Sequence, residues 1–197
     1  MGTPAIKLII LDRDGVINHD SPDFIKSPLE WVPVPGSLEA IARLNQAGYR
    51  VVIASNQSGI ARRLFDMAAL NAIHQKMHAL AQQVGATIDA VFFCPHAGLD
   101  DCECRKPKPG MFAEIAARYK TPLKGVPAVG DSLRDLQAAY DSGCAPYLVL
   151  TGKGEHTNAT GNLPPGTQVF PDLALMVESL LKNASIGNNN SGKTATN

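Results

Sequence analysis

The chain has 197 residues, 45% of them hydrophobic, and its 18 basic residues balance its 18 acidic residues to a formal net charge of zero. This length and apolar content predict one globular domain with a sizeable core. The balanced charge excludes a general electrostatic footprint for nucleic acid or for an anionic membrane, so we expect a small-molecule partner that binds at a local site.

Strands and helices are predicted to alternate along the chain. Short, nearly continuous apolar runs predict strands buried on both faces, over residues 6–11, 50–54, 88–93, 126–129 and 147–150. Between them, apolar residues at helical spacing predict two helices that end at Gly48 and Gly85, a third from Pro109 to Tyr119 and a fourth from Leu133 to Tyr140. This alternation predicts an α/β fold with a doubly wound parallel sheet.

The domain organisation follows from composition. We predict a single domain over residues 1–182 and a disordered tail over residues 183–197, which is made mostly of Asn, Ser, Gly, Lys and Thr. The N-terminal segment has no basic stretch followed by a long apolar run, and no run approaches membrane-spanning length. A cytoplasmic protein is therefore expected, with a monomer as the default state.

Polar residues follow four of the predicted strands. Asp12 and Asp14 come directly after the first strand, and the later groups are Ser55-Asn56-Gln57, Arg105-Lys106 and Gly130-Asp131-Ser132. The carboxyl ends of parallel strands meet at one crevice, so we expect these groups to lie together. Carboxylates can hold Mg²⁺, while a hydroxyl and a lysine can neutralise phosphoryl oxygens as charge spreads over them. The sequence therefore predicts a site for phosphoryl transfer.

In this order, the four motifs resemble those of the haloacid dehalogenase superfamily of phosphohydrolases, over roughly residues 6–180. The resemblance implies a Rossmann-like fold, here without an inserted cap domain. It implies that Asp12 is the nucleophile, that Asp14 is the general acid and base, and that Ser55 and Lys106 stabilise the transferring group. It also implies Mg²⁺ held by the side chains of Asp12 and Asp131 and by the backbone carbonyl of Asp14.

Three further expectations concern neighbouring groups. A general acid must carry a proton when the substrate arrives, so we expect a raised pKa for Asp14. Asp135 either orients the metal shell or accepts hydrogen bonds from nearby backbone groups, and both readings stay open. His74 and His78 have no adjacent glutamate of the kind that accompanies histidine pairs in zinc sites on helices, so we expect them to be solvated.

A second cluster of ligand-type residues lies in one short segment, with Cys94 and His96 followed by Cys102 and Cys104. Four N and S ligands without an open position are typical of a structural zinc site, although the ligand types alone do not exclude iron. Arg105 and Lys106 follow directly in the chain. The zinc ion would therefore rigidify the zinc-stapled loop that carries both cations, and it would not take part in catalysis. Cys144 stands apart and is expected in the core.

A capless domain with this loop and with the segment from Ser55 to Arg62 resembles the D-glycero-D-manno-heptose 1,7-bisphosphate 7-phosphatases of bacterial lipopolysaccharide precursor synthesis. That resemblance implies a phosphorylated sugar substrate, with Asp20, Asn56, Gln57 and Arg105 as substrate-binding residues. Many relatives have a lysine where this chain has Ser132, so we expect one cation fewer near the metal.

Two alternatives remain at this point. One is a histidinol-phosphate phosphatase, because that branch has similar motifs and can carry the same zinc loop. The other is a non-catalytic zinc-stapled binding module. Cations such as Arg105, Lys26 and Arg62 favour a bisphosphate over an imidazolium-bearing monophosphate. The anomer hydrolysed is left open.

Overall fold

The computed structural model describes residues 6–190. Strands and helices alternate in chain order as β1 (Lys7–Leu11), α1 (Ser37–Gln46), β2 (Tyr49–Asn56), α2 (Met67–Gln83), β3 (Ala90–Cys94), α3 (Gly110–Tyr119), β4 (Pro127–Gly130), α4 (Leu133–Asp141), β5 (Ala145–Val149), α5 (Gly154–Ala159), β6 (Gln168–Phe170) and α6 (Leu173–Asn190). Between β1 and β2 lie only a loop and α1, so no cap domain is inserted there.

The strands form one parallel sheet in the order β3-β2-β1-β4-β5-β6. In the centre of the sheet, Ile10 of β1 is paired with Val52 on one side and with Ala128 on the other. The order of strands reverses at β1, which makes the carboxyl ends of β1 and β4 a topological switch point, where open α/β sheets bind ligands. The predicted doubly wound, Rossmann-like sheet is therefore confirmed.

Alternate residues of the central strands build a core on each face of the sheet. Ile9 and Ile53 point to the face covered by α1, α2 and α6, where Leu44, Met77 and Val177 are fully buried. Ile10 and Val52 point to the other face, which α3 and α4 cover. This arrangement explains why the strands are apolar without alternation, because neither face meets water.

The elements missed from the sequence lie in the C-terminal part. All five predicted strands are present, with ends shifted by a few residues, but β6 has only three residues and α5 only six, too few for a periodic signal. Helix α6 was also not predicted, although Met176 and Val177 are buried. Cys144 is in the core, as expected.

The predicted tail over residues 183–197 begins inside α6, which ends at Asn190. Residues 191–197 lie outside the described part of the chain, so the division into domain and tail stays a prediction. Within residues 6–190, no helix combines the length and the hydropathy needed to cross a bilayer.

Truncating a buried and an exposed leucine tests how much core packing contributes to stability. Leu44 of α1 is fully buried, so we expect its truncation to lower the free energy of unfolding by about 2–5 kcal/mol. Leu29→Ala is the control, because Leu29 is 90% exposed and its truncation leaves no cavity. We expect it to change the free energy of unfolding by no more than about 0.5 kcal/mol. Urea denaturation of both variants measures the difference, and similar losses would contradict this description of the core.

Candidate active site

The strand-end motifs converge on a pocket of about 290 Å³ at the switch point. Residues from the ends of β1, β2, β4 and β5 and from the loop before α3 line it, among them Asp12, Asp14, Ser55, Arg105, Asp131 and Lys153. Most of the predicted strand-end residues therefore share one crevice, although Lys106 and Gly130 are not among the residues that line it. The pocket also contains Asp20 and Arg62, which come from loops beyond the strand ends.

Lys106 is a buried cation beneath this pocket, with 2% of its side chain exposed. Its Nζ lies 3.1 Å from Asp12 Oδ1 and 2.6 Å from Asp135 Oδ1, and it donates to the carbonyl oxygen of Ala54 at 2.6 Å. Burial opposes the charged form, but the carboxylates of Asp12 and Asp135 outweigh it and raise the pKa of Lys106. The site therefore contains a fixed positive charge.

Three carboxylates form a cluster at the pocket, and Lys106 is paired with two of them, Asp12 and Asp135. Asp12, Asp131 and Asp135 each place an oxygen within 4.8 Å of the others. Burial raises the pKa of Asp131 to about 8, and the charges of Asp135 and Asp12 add to the shift. Burial also raises the pKa of Asp12 to about 6, against the attraction of Lys106. A bound divalent cation would relieve this repulsion, and clustered carboxylate oxygens are the ligands that Mg²⁺ prefers.

Asp135 is held by the start of α4. Its Oδ2 accepts a hydrogen bond from Ser132 N at 3.0 Å and a second from the Ser132 hydroxyl. The first of these bonds and the reciprocal bond from the backbone N–H of Asp135 to the Ser132 side chain form a capping box. Because Lys106 occupies its Oδ1, both oxygens have partners within the protein. The reading in which Asp135 accepts from nearby backbone is thus observed, and Ser132 has a structural role that the sequence did not suggest.

The side chain of Asp14 accepts hydrogen bonds from three other residues. It accepts three hydrogen bonds from Arg13, one from Asn18 at 2.9 Å and one from Gln57 at 2.8 Å. Burial alone would raise the pKa of Asp14, but the charge of Arg13 and these hydrogen bonds lower it below the ordinary value. The expectation of a raised pKa is therefore wrong, because Arg13 stabilises the carboxylate of Asp14.

The side-chain amides of Asn56 and Gln57 are already bonded inside the protein. Asn56 accepts from Lys106 N at 3.1 Å and donates to Lys106 O at 3.0 Å. Gln57 accepts from Arg13 at 3.1 Å and donates to Ser55 Oγ and to Asp14, each at 2.8 Å. Both residues line the pocket, yet their amides position the neighbouring motif residues.

The predicted ligand set in the loop after β3 is assembled. Cys94 Sγ lies 3.8 Å from Cys102 Sγ and 3.5 Å from His96 Nδ1, which lies 3.3 Å from Cys104 Sγ. A tetrahedral zinc ion has edges of about 3.8 Å between sulfurs and about 3.5 Å between sulfur and nitrogen. The four side chains therefore fit a zinc ion. From the same loop, His96 O accepts a hydrogen bond from the guanidinium of Arg105 at 3.1 Å.

A fifth loop, which the sequence analysis missed, completes the pocket after β5. Lys153 donates its backbone N–H to Asp131 Oδ2 at 2.8 Å, and its Nζ lies 2.6 Å from Asp20 Oδ2. In the same loop, Thr151 donates to the carbonyl oxygen of Gly15 at 2.6 Å. The lysine between two glycines at a strand end was the available signal. Because Ser132 stands where many relatives have a lysine, we expected one cation fewer at this site. Lys153 supplies a cation there instead.

Two other expectations about cations and histidines are corrected. Lys26 lines a neighbouring groove with Arg63 and Phe65 and not the active-site pocket. His78 is exposed, as expected, but His74 is half-buried: its ring packs edge-on against Phe93 and its Nε2 lies 3.4 Å from Arg13 Nη1. Burial lowers the pKa of His74 to about 4, so the ring is neutral.

Two protein-family models match the chain. A family described as HAD-hydrolase-like matches residues 103–176, and a family described as polynucleotide kinase 3 phosphatase matches residues 7–133. The two ranges together include all four strand-end motifs. Both descriptions are of hydrolases, in agreement with the geometry of the pocket.

Curated relatives are similar over almost the whole chain. The D-glycero-β-D-manno-heptose-1,7-bisphosphate 7-phosphatase of Bordetella bronchiseptica is 63% identical over 179 residues, which are 91% of this chain and all of the relative. The enzyme of the same name from Pseudomonas aeruginosa is 51% identical over 175 residues, 89% of this chain and 98% of the relative.

Solved structures of similar proteins agree with the fold. The D,D-heptose 1,7-bisphosphate phosphatase of B. bronchiseptica, complexed with magnesium and phosphate, has a TM-score of 0.89 at 62% identity, covering 90% of this chain and 99% of that chain. The D,D-heptose 1,7-bisphosphate phosphatase of Burkholderia thailandensis has a TM-score of 0.72 at 53% identity, covering 89% and 98%.

Gly152→Ala should displace Asp131 from the carboxylate cluster. A Cβ at Gly152 would overlap Asp131 Oδ2 and lie 2.6 Å from Gly15 Cα. We expect at least about tenfold weaker Mg²⁺ binding by calorimetry, the effect typical of disturbed groups around a metal. Gly161→Ala is the matched control, because Gly161 also has a positive φ, 71°, but nothing within 4 Å. Equal Mg²⁺ affinities of the Gly152→Ala and Gly161→Ala variants would contradict the assignment of Asp131 to the Mg²⁺ site.

Proposed function

The chain belongs to the family of D-glycero-β-D-manno-heptose-1,7-bisphosphate 7-phosphatases, and we propose that it hydrolyses the 7-phosphate of this sugar bisphosphate in the synthesis of lipopolysaccharide precursors. The observation that carries the proposal is the convergence of Asp12, Asp131 and Lys106 beneath one pocket. The β anomer, which the sequence left open, is proposed because the relatives of 50–63% identity carry it in their names.

Asp12 is proposed as the nucleophile. Its carboxylate attacks phosphorus, the bond between phosphorus and the C7 oxygen breaks, and water then hydrolyses the aspartyl phosphate. Lys106 is fixed 3.1 Å from Asp12 Oδ1 and keeps a positive charge where the phosphoryl group arrives. Ser55 lines the pocket and its Oγ accepts from Gln57, which leaves the hydroxyl hydrogen free to donate to a phosphoryl oxygen.

Asp14 is proposed as the general acid and base. Arg13 lowers the pKa of Asp14, so Asp14 is a carboxylate and is suited to take a proton from the attacking water in the second step. In the first step it must donate a proton to the leaving C7 oxygen. A phosphate dianion bound beside Asp14 adds negative charge, which disfavours the carboxylate and favours proton uptake as the substrate enters.

The carboxylate cluster fits Mg²⁺, which would supply positive charge to the transferring phosphoryl group. We propose the side chains of Asp12 and Asp131 and the backbone carbonyl of Asp14 as ligands. Asp135 is proposed to orient the site, because its oxygens are bonded to Lys106 and Ser132. Lys153 holds Asp131 through its backbone N–H and so fixes the direction of that carboxylate.

Cations at the pocket mouth support a substrate with a second phosphate. Arg62, Arg105, Arg134 and Lys153 all line the pocket, and the acidic Asp20 is paired with Lys153. Histidinol phosphate, with one phosphate and a cationic end, would meet like charge here. That alternative is also disfavoured by the relatives, and the phosphatase relatives reject the non-catalytic binding module. Asp20 and Arg105 stay our proposed sugar-binding residues.

We further propose that Cys94, His96, Cys102 and Cys104 hold a structural zinc ion. The distances between their ligand atoms support this metal, and the loop they close carries Arg105. Zinc would then act on substrate recognition rather than on the chemical step. A cytoplasmic monomer remains a prediction from the sequence.

The activity is tested by phosphate release. With Mg²⁺ present, we expect the wild type to remove the 7-phosphate of the β anomer faster than the phosphate of histidinol phosphate. Asp12→Asn should reduce the rate at least about 1,000-fold, because the nucleophile is lost. Asp141→Asn makes the same change at an exposed position at the end of α4 and should have no effect. An active Asp12→Asn variant, or a preference for histidinol phosphate, would overturn the proposal.

Zinc is tested by metal content and substrate affinity. By elemental analysis, we expect about one zinc per chain in the wild type and none in Cys102→Ser. The KM of Cys102→Ser for the bisphosphate should rise at least about tenfold, since Arg105 loses its fixed position and a charge-assisted contact. Cys144→Ala removes a buried thiol outside the cluster and should keep the zinc. Full zinc content in Cys102→Ser would refute the ligand set.

A further inference from the structure

Arg13 stands between the two aspartates of the first motif and is fully buried. In the motif, Arg13 separates the proposed nucleophile Asp12 from the proposed general acid and base Asp14. Neither the family resemblance nor the proposed mechanism gives Arg13 a role. A buried guanidinium is costly unless it is paired and hydrogen-bonded. Its partners therefore indicate what the charge is for.

The guanidinium of Arg13 holds the carboxylate of Asp14 by both of its oxygens. Nε donates to Oδ1 at 3.1 Å, and Nη2 donates to Oδ1 at 3.0 Å and to Oδ2 at 2.9 Å. A planar guanidinium that contacts both carboxylate oxygens fixes the carboxylate plane as well as its position. Asp14 retains 20% exposure of its side chain toward the pocket, so the fork holds it from behind.

Two further groups fix the guanidinium itself. Nη2 donates to Gln57 Oε1 at 3.1 Å, and Nη1 lies 3.4 Å from His74 Nε2. Since a guanidinium only donates, His74 must accept there, which requires the neutral ring. Arg13 therefore links the loop after β1 to the loop after β2 and to α2. Together with the bonds to Asp14, these contacts fix the orientation of the guanidinium.

We propose that Arg13 is a positioning residue that aims the carboxyl group of Asp14 at the leaving oxygen of the substrate. The inference rests on the proposed function. As the C7 oxygen leaves phosphorus and Asp12 gains the phosphoryl group, Asp14 gives its proton to that oxygen. In the second step Asp14 takes a proton from water as the aspartyl phosphate is hydrolysed. Both transfers require the oxygens of Asp14 to be aligned, which is the geometry that the fork supplies.

The test compares Arg13→Met and Arg13→Lys with the wild type on the heptose bisphosphate. We expect Arg13→Met to lower kcat about 100-fold, within the usual contribution of a general acid and base, and to leave KM within about twofold. Arg13→Lys keeps the charge without the fork and should recover only part of the rate. Arg43→Met removes a cation that bonds the Ala174 carbonyl far from the pocket and should leave kcat unchanged.

A double variant separates positioning from general damage to the fold. In an Asp14→Asn background, assayed with enzyme in excess, Arg13→Met should cost about twofold or less, because Arg13 acts through Asp14. The same 100-fold loss in both backgrounds would overturn the proposal.

A crystal structure of Arg13→Met gives a test that needs no activity. We expect the Asp14 carboxylate to be turned or to occupy two conformers, and an unchanged Asp14 would overturn the proposal. If the wild type releases no phosphate from the heptose bisphosphate, the proposed function fails, while this structure still decides whether Arg13 positions Asp14.

Discussion

The active site depends on one buried ammonium group. Lys106 Nζ donates a hydrogen bond to Ala54 O and forms ion pairs with Asp12 and Asp135. These partners belong to β2, to the loop after β1 and to the start of α4, so a single charge fixes three segments at the switch point. Because a buried charge without partners is strongly destabilising, the relative positions of these segments are constrained far more tightly than by loop packing alone.

Close packing around the acidic groups follows from that constraint. A Cβ at Gly15 would lie 2.6 Å from Asp131 Cγ, and one at Gly130 would lie 2.8 Å from Asp135 Cγ. The motif glycines thus leave room for Asp131 and for Asp135, which pairs with Lys106. Water is excluded from much of this space, which raises the pKa values of Asp12 and Asp131 and makes the site attractive to a divalent cation.

The sequence was sufficient for the sheet and for the strand-end groups, because both follow from local patterns. Apolar runs define buried strands, and parallel strand ends must meet. It was insufficient wherever a role depends on the direction of a long side chain. Arg13, His74 and Lys153 act through contacts to residues distant in the chain, at 3.4 Å between His74 and Arg13 and at 2.6 Å between Lys153 and Asp20. The lowered pKa of Asp14 could not be foreseen for the same reason, since its cause is the orientation of Arg13.

The site contains ion pairs of two kinds, buried and exposed. The pairs of Lys106 and Arg13 are buried, with 2% and 0% of these side chains exposed, and breaking them would leave uncompensated charge. Lys153 is 53% exposed, so its pair with Asp20 is weak in water and can be exchanged for a pair with a substrate phosphate at little cost. The groups proposed to move protons and phosphoryl oxygens are therefore held by buried pairs, while the loops proposed to recognise the sugar carry an exposed pair that can adjust.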